Sequence, residues 1–519
     1  MAGQIVYAQL GDNDMAANME EAMTFKKYPT YDQYDTMMHQ FVSKYPEICR
    51  IDTFGYSEKG RLLLALKISD NVAIEEIEPR FLYTSTIHGD ELSGYIHMLR
   101  LADFLLKEYE NVGEVTSLVN DVEIWINPIF NPDGAYGNNN LNLEDASREN
   151  SLGYDLNRNF PEASNGDLDD LAGRQTETKY MMQFMREHKF NLSANIHSGA
   201  EVVNYPWDNG PNDRTKSNYE KHPDDDWFSF ISREYADVAH DVNPDYMNLF
   251  TDGITNGSDW YRIEGGRQDY ATFYLQGREL TLELSNYFNE PSESLETFWT
   301  YNKWSLFNLI SQARYGIHGT VICSELFDPI EARITVMNYD SSYARIETAP
   351  GEYNWLRSDT LNMEEYSGAE ERGSWLTSDP ETGAFFRYLK EGSYDLIASA
   401  DGYFNDTLRD VSIIDYQTTF LTFELDRLVA NVNTDLFESG ITVYPNPASD
   451  YLYVKHSDPL EAIQYIKIYS ADGKLISQVN PNNLNGPVTI DISHFQNGLY
   501  LLKINSTDHS YNKAILISH

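Results

Sequence analysis

The chain has 519 residues, and its 81 acidic against 38 basic side chains leave a net charge of −43 at pH 7. That length implies about two to four domains, a hydrophobic content of 41% excludes a disordered chain, and the absence of any run of about 18 apolar residues excludes a helical membrane span. So acidic a protein repels nucleic acid and anionic lipid, and the excess charge reads either as solubility or salt tolerance or as an attraction for cationic substrates. Two cysteines, Cys49 and Cys323, are too few for a disulfide framework or a thiolate metal site.

The opening "MAGQIVYAQLGDNDMA" has neither a basic n-region nor a long apolar h-region. Either the protein stays inside the cell, or the chain lacks its signal and "AGQIVYAQ" is the tail of a clipped leader. Residues 1–23 form a polar, acidic lead. From 24 to 316 helical and extended patterns alternate. "FLYTSTI" and "DVEIWINPIF" read as strands, with the amphipathic helix "GYIHMLRLADFLLKEYE" between them. "QTETKYMMQFMREH" reads as a helix, "FNLSANI" and "ELTLELS" as strands, and "SLETFWTYNKWSLFNLISQARYG" as a closing helix that stops at Gly316. This alternation predicts an α/β domain with a mixed central sheet flanked by helices.

After Gly316 the helical period disappears. "GTVIC", "EARITVMNY", "AFFRYL", "SYDLIASADGYF" and "TTFLTFEL" predict a small β-sandwich over 317–427. A linker follows at 428–440. A second β module begins at Ile441, with a hairpin turn at Asp472-Gly473.

The chemistry starts at "TIHGDELSGY", where His88 and Glu91 stand three apart after an apolar run. Alone the pattern carries little, since about one His-x-x-Glu is expected by chance in so acidic a chain. It reads equally as a turn followed by a helix-opening acid. A hydrolytic metal site needs a further ligand and an open position. His197 ends a second apolar strand and can supply that ligand, although a satisfied core histidine is the alternative. Glu283 interrupts the apolar strand "ELTLELS", and a buried carboxylate is costly unless paired or functional. "NPDG" (Asn131–Gly134) need be no more than a turn. Arg158, flanked by apolar residues, wants a carboxylate partner, a surface ion pair being the default.

Taken together, HGDE, NPDG, SREN…DLNRNF, NIHSGAEVVNYPWD, DGITNGSDWY, GGRQDY and TLELS resemble, in this order, the zinc metallocarboxypeptidases of the carboxypeptidase A/B type. They look closer to the regulatory branch, the carboxypeptidase N, E, M and D group, over residues 24–427. That branch carries a transthyretin-like β-sandwich behind its catalytic domain. The resemblance implies one Zn2+ per catalytic domain, held by His88, Glu91 and His197, with Glu283 as the general base and Arg148 stabilising the oxyanion. It implies that Asn157 and Arg158 grip the substrate's terminal carboxylate, and that Tyr261 covers the bound C-terminal residue. Tyr261, not Tyr270, stands at the family's distance of 22 residues before the base.

In that branch an aspartate and a glutamine select C-terminal Arg or Lys. Asp208 lies 11 residues after His197 and Gln268 seven after Tyr261, where the branch has them. The other reading of "YPWD" is a surface turn. Ser198 and the Ser258-Asp259 pair depart from the branch's pattern. A catalytically weak peptide-binding relative and a zinc deacylase of amino-acid conjugates are the competing functions. The complete residue set speaks against the first and the paired DLNRNF and Asp208–Gln268 pocket against the second. The final module, 441–519, with "YPNPASDYLYV" and "GLYLLKI", resembles the C-terminal sorting domains of type IX secretion in the Bacteroidetes. It implies an exported protein, delivered by that secretion machinery, whose leader is missing here. The expected partners are peptide or protein C-termini, basic ones above all, with no nucleic acid and no membrane span.

Overall fold

Strands that are apolar along both faces must be covered on both sides. The runs 80–85, 192–197 and 278–285 are buried almost throughout, which forces them to the middle of a layered sheet. The structure, a computed structural model, describes residues 8, 10–163, 167–209, 219–337, 343–349, 352–357, 370–372, 374–428, 441–456, 462–470, 474–481, 487–507 and 510–519. The linker at 428–440, beyond its first residue Leu428, and the Asp472-Gly473 turn lie outside these residues.

Eight strands form the central sheet: β1 (Cys49–Tyr56), β2 (Leu62–Ile68), β3 (Arg80–Ser85), β4 (Glu123–Asn127), β5 (Leu192–His197), β6 (Ala200–Tyr205), β7 (Ile254–Asn256) and β8 (Arg278–Ser285). Their order is β1-β2-β4-β3-β5-β8-β6-β7. β4, β3, β5 and β8 run parallel, while β2 joins β4 and β6 joins β8 antiparallel, so the sheet is mixed, as expected. The β1–β2 pair and β6 are additions to the strands expected from the sequence, although the apolar run of β2 was a usable signal. β1 alternates without a strong apolar run, and β6 follows His197 with only a two-residue break.

Side chains alternate along a strand, and the two faces are covered differently. Tyr83 points to the helices Ser93–Glu108 and Leu295–Gln312, its hydroxyl donating to the Leu306 carbonyl at 2.9 Å. Leu82 points the other way, into a cluster with Met181, Met182, Phe184 and Met185 of the helix Thr176–His188 and with Tyr270 of the helix Arg267–Phe273. The acidic lead is folded where it is described. Leu10, Met15, Ala16 and Ala22 are buried, and Asp14 accepts a hydrogen bond from the Ser292 backbone at 2.9 Å.

The chain divides into two compact units: Met1–Ile74 with Pro79–Arg314 and Tyr339–Ser374, and Glu75–Glu78 with Tyr315–Asn338 and Trp375–His519. The second is built of strands. Gly316–Cys323 pairs with Ala384–Arg387 and Thr418–Leu425, and Arg333–Met337 pairs with Leu376–Thr377 and Gly392–Ser399, which in turn pairs with Asp406–Ile413. The C-terminal module adds sheets of three and four strands around a core that includes Leu452, Val454, Ile466, Ile468, Leu502 and Ile504. Among the described residues no helix is long and apolar enough to cross a membrane.

The helix Ser93–Glu108 lies directly on β3 and β5 because its second residue is glycine. A Cβ at Gly94 would stand 2.3 Å from the Ser85 hydroxyl and 2.4 Å from the Ile196 side chain. Gly94→Ala should therefore cost about 1–3 kcal/mol through overpacking, read as a lower urea midpoint with an unchanged slope. An unchanged midpoint would contradict so close a seat for the helix.

Candidate active site

Ligand sites of open α/β sheets lie beyond the carboxyl ends of the parallel strands, and the predicted residues gather there. β3 ends at Ser85, and Thr86 then takes the left-handed conformation, φ 59°. This turns the chain so that His88 leaves the sheet edge. Glu91 lies two residues before the helix Ser93–Glu108 rather than within its first turn, so it contributes to the site and not to the helix dipole. His197 is the last residue of β5, and in the parallel register of β5 and β8 it stands opposite Glu283.

His88 Nδ1 lies 2.7 Å from Glu91 Oε1, and His197 Nδ1 lies 2.7 Å from Glu91 Oε2. The two imidazole rings are 4.9 Å apart. Donor atoms of His88, Glu91 and His197 all lie within 4.8 Å of one another, and all three residues are buried. Two imidazoles and one carboxylate form the N/O donor set that suits zinc, so the residues present fit that metal.

The electrostatics follow from burial. Burial alone would push the Glu91 carboxyl up, but His88 and His197 outweigh it and hold Glu91 below the ordinary carboxylate range. Burial also opposes protonation of both histidines. Glu91 and Asp155 overcome it at His88, while at His197 it prevails. Glu283 is the opposite case. Burial, followed by the charge of Glu91, pushes it well above the ordinary range, with Arg148 opposing. One of its oxygens, Oε2, has no hydrogen-bond partner among the described residues.

Arg148 reaches the same centre. Its Nη1 lies 3.3 Å from Glu91 Oε1, while Nε and Nη2 lie 3.0 and 2.9 Å from Asp155 Oδ2. Asp155 also lies 3.0 Å from His88 Nε2. Asp155 is not among the residues expected from the sequence, although its place two residues before Asn157 in "DLNRNF" is a usable signal. "NPDG" also proves more than a turn. The Asn131 side chain donates to the Ile87 carbonyl at 3.2 Å, and Asp133 accepts from Ser57, Lys59, Arg61 and Ser151. A Cβ at Gly89 would stand 2.2 Å from the Gly134 carbonyl carbon, so the two turns meet backbone to backbone.

A second group of residues borders this centre. Asp208 and Gln268 are 3% and 1% exposed, so "YPWD" ends inside the protein and not in a surface turn. Asp208 Oδ1 accepts from Gln268 Nε2 at 2.9 Å and Asn204 Nδ2 at 3.0 Å. Burial raises its carboxyl to about 6, against the opposing effects of Asn204 and Arg158. Arg158 departs from expectation. Its Nη1 donates to the Asn157 carbonyl at 2.9 Å, and among the described residues it has no ion pair. Asn157 accepts the Arg267 backbone N–H at 2.9 Å. Tyr261 is half-exposed, and Glu283, Arg158, Asp208 and Glu91 all act electrostatically on its hydroxyl. Tyr270 is fully buried in the apolar cluster under the sheet, away from these groups.

A family model described as zinc carboxypeptidase matches residues 34–305, and one described as a secretion system C-terminal sorting domain matches residues 442–518. Carboxypeptidase SOL1 of Arabidopsis thaliana is 36% identical over 315 residues, which are 60% of this chain and 62% of that protein. Carboxypeptidase D of Homo sapiens is 30% identical over 426 residues, 80% of this chain and 28% of that protein. The carboxypeptidase N catalytic chain of Rattus norvegicus is 30% identical over 441 residues, 79% of this chain and 88% of that protein. The chain thus spans less than two thirds of the first two relatives and most of the third.

Since Asp155 holds both His88 and Arg148, its loss should be felt at the metal as well as at the arginine. Asp155→Asn should weaken zinc binding about 10–100-fold, measured by chelator competition. Unchanged affinity would mean that His88 is oriented without it.

Proposed function

The chain belongs to the zinc carboxypeptidase family, and on that premise we propose that it is a secreted metallocarboxypeptidase hydrolysing the C-terminal peptide bond of peptides and proteins, with preference for C-terminal Arg or Lys. The observation that carries the reading is the register of β5 and β8. It sets Glu283, a carboxyl driven upward by burial and with one free oxygen, beside the donor set of His88, Glu91 and His197.

One zinc ion held by those three residues would polarise the scissile carbonyl and lower the pKa of water toward about 7. The remaining work belongs to side chains. Glu283 accepts a proton from the attacking water and returns it to the leaving amine, a role that a raised carboxyl pKa suits. Arg148 keeps N–H groups beyond those taken by Glu91 and Asp155, and these face the developing oxyanion. Arg158, without an ion-pair partner among the described residues, offers its fork to the substrate's terminal carboxylate. Asn157 keeps its amide N–H groups for the same carboxylate, because its oxygen is taken by Arg267. That clamp reads a free C-terminus, so one residue is removed rather than an internal bond cut. Tyr261 covers the bound residue.

Asp208 and Gln268 supply the preference. A buried acid pairs with a basic side chain and penalises an apolar one left opposite it. The domain reading is catalytic 24–316, transthyretin-like sandwich 317–427, linker 428–440, and sorting module 441–519. The last of these directs the protein through type IX secretion to the cell surface or medium.

Two experiments test the assignment. Glu283→Gln should retain zinc and lose most of kcat, and turnover near wild type would remove Glu283 from its role. With paired peptides ending in Arg or Phe, kcat/KM should favour Arg at pH 7. The ratio should fall as pH drops below about 6, where the raised Asp208 carboxyl becomes neutral. Equal rates would defeat the basic preference, and a ratio that favours Arg but stays flat with pH would remove Asp208 as its source. Taking the ratio cancels groups that titrate for both substrates.

A further inference from the structure

Beneath the donor set lies a buried polar file that the reading above leaves without a role. Side chains two apart share a strand face. On one face of β5 stand Ser193, Asn195 and His197, and on the facing positions of β8 stand Glu279, Thr281 and Glu283, matched in register pair by pair. At its foot Arg267 and Glu279, both 0% exposed, form an ion pair with Nη2 2.9 Å from Oε2. Ser193 donates to the same oxygen at 2.7 Å. Arg267 Nη1 lies 3.5 Å from Asn195 Oδ1, which also accepts from Thr84 at 3.1 Å. Asn195 Nδ2 lies 2.8 Å from His197 Nε2, the ring nitrogen turned away from Glu91.

The pair is poorly built for stability. Among the described residues, Arg267 Nε and Glu279 Oε1 are buried without hydrogen-bond partners. Unsatisfied groups of that kind in a native core ask for a reason, because apolar replacement of a buried ion pair is often neutral or stabilising. Position supplies the reason. Arg267 precedes Gln268, its backbone N–H holds the Asn157 oxygen at 2.9 Å, and its guanidinium reaches the two strands that carry His197 and Glu283. One residue therefore ties the substrate segments to the strands that carry the metal histidine and the acid.

We propose that Arg267 is a positioning residue that fixes Asn157 and the Gln268 segment: its guanidinium is anchored on Glu279 and Asn195, and its backbone N–H holds the Asn157 oxygen. The proposal rests on the function proposed above. It does not extend to the metal: with its oxygen taken by Thr84 and Arg267, Asn195 turns its NH2 to His197 Nε2, which needs its own proton when Nδ1 binds zinc.

The test uses the full chain. In Arg267→Met/Glu279→Met both charges leave together, so neither is stranded. The unfolding midpoint should hold or rise, while KM for a peptide substrate should rise about tenfold with a smaller change in kcat, and backbone amide exchange over 267–270 should quicken. Arg267→Lys, which keeps the charge but not the fork, should give smaller changes in both. KM and exchange unchanged in the double variant overturn the proposal, and should the double variant not fold, both unchanged in Arg267→Lys overturn it alone. Asn157→Ala is the control for the clamp. If it leaves KM unchanged, the clamp reading fails, and the exchange measurement still judges Arg267.

Discussion

Everything in the candidate site depends on one buried carboxylate that answers to two imidazoles. Glu91 cannot lose water without compensation, and it receives it from His88 on one oxygen and His197 on the other. That contact joins residues 106 positions apart, and it requires β3 and β5 to be neighbours, parallel, and ended at the same level. The order β4-β3-β5-β8 meets the requirement and adds Glu283 in register beside His197. The same enclosure gives the two acids opposite tempers. Glu91 is held ionised by its histidines, whereas Glu283, near a like charge, is pushed toward the neutral form.

The loops that bring in Arg148 are not loosely hung. Gly89 and Gly134 approach so closely that neither could carry a side chain without displacing backbone. Asn131 joins the carbonyl before His88 to that turn, and Asp155 connects His88 to Arg148. A guanidinium and two carboxylates are thereby held within hydrogen-bond distance while Arg148 stays one third exposed. Rigid support on one side and access on the other are what an oxyanion-stabilising group requires.

Legibility in the sequence was uneven for physical reasons. Strongly apolar segments announced β3, β4, β5, β8 and the helices after β3 and β8. β1 and β6 carry mixed patterns that become strands only through the neighbours that pair with them, whereas the apolar run of β2 and the one-sided apolar face of the Asp225–Val242 helix were signals present in the sequence. Glu283 stood out as an acid in an apolar strand, yet Glu279, four residues earlier in the same strand and more deeply buried, did not. Polar residues at 193, 195 and 197 and at 279, 281 and 283 were the available signal. Asp133 and Asp155 went unremarked because a turn and a loop already explained them locally. Arg158 was expected to find a carboxylate, and among the described residues it has none within ion-pair distance, which leaves it for a ligand.

By itself the sequence determined the α/β class, the β-rich C-terminal half, and the candidate donors, acid and arginines, because burial periodicity and residue chemistry are local properties. Only the tertiary structure decided that His88, Glu91 and His197 share one center, that His197 faces Glu283, and that Asp208 and Gln268 lie inside rather than on a surface turn. Those facts depend on which strands pair and in what register. A shift of one residue would turn His197 and Glu283 to opposite faces of the sheet, and nothing within either strand alone fixes that choice.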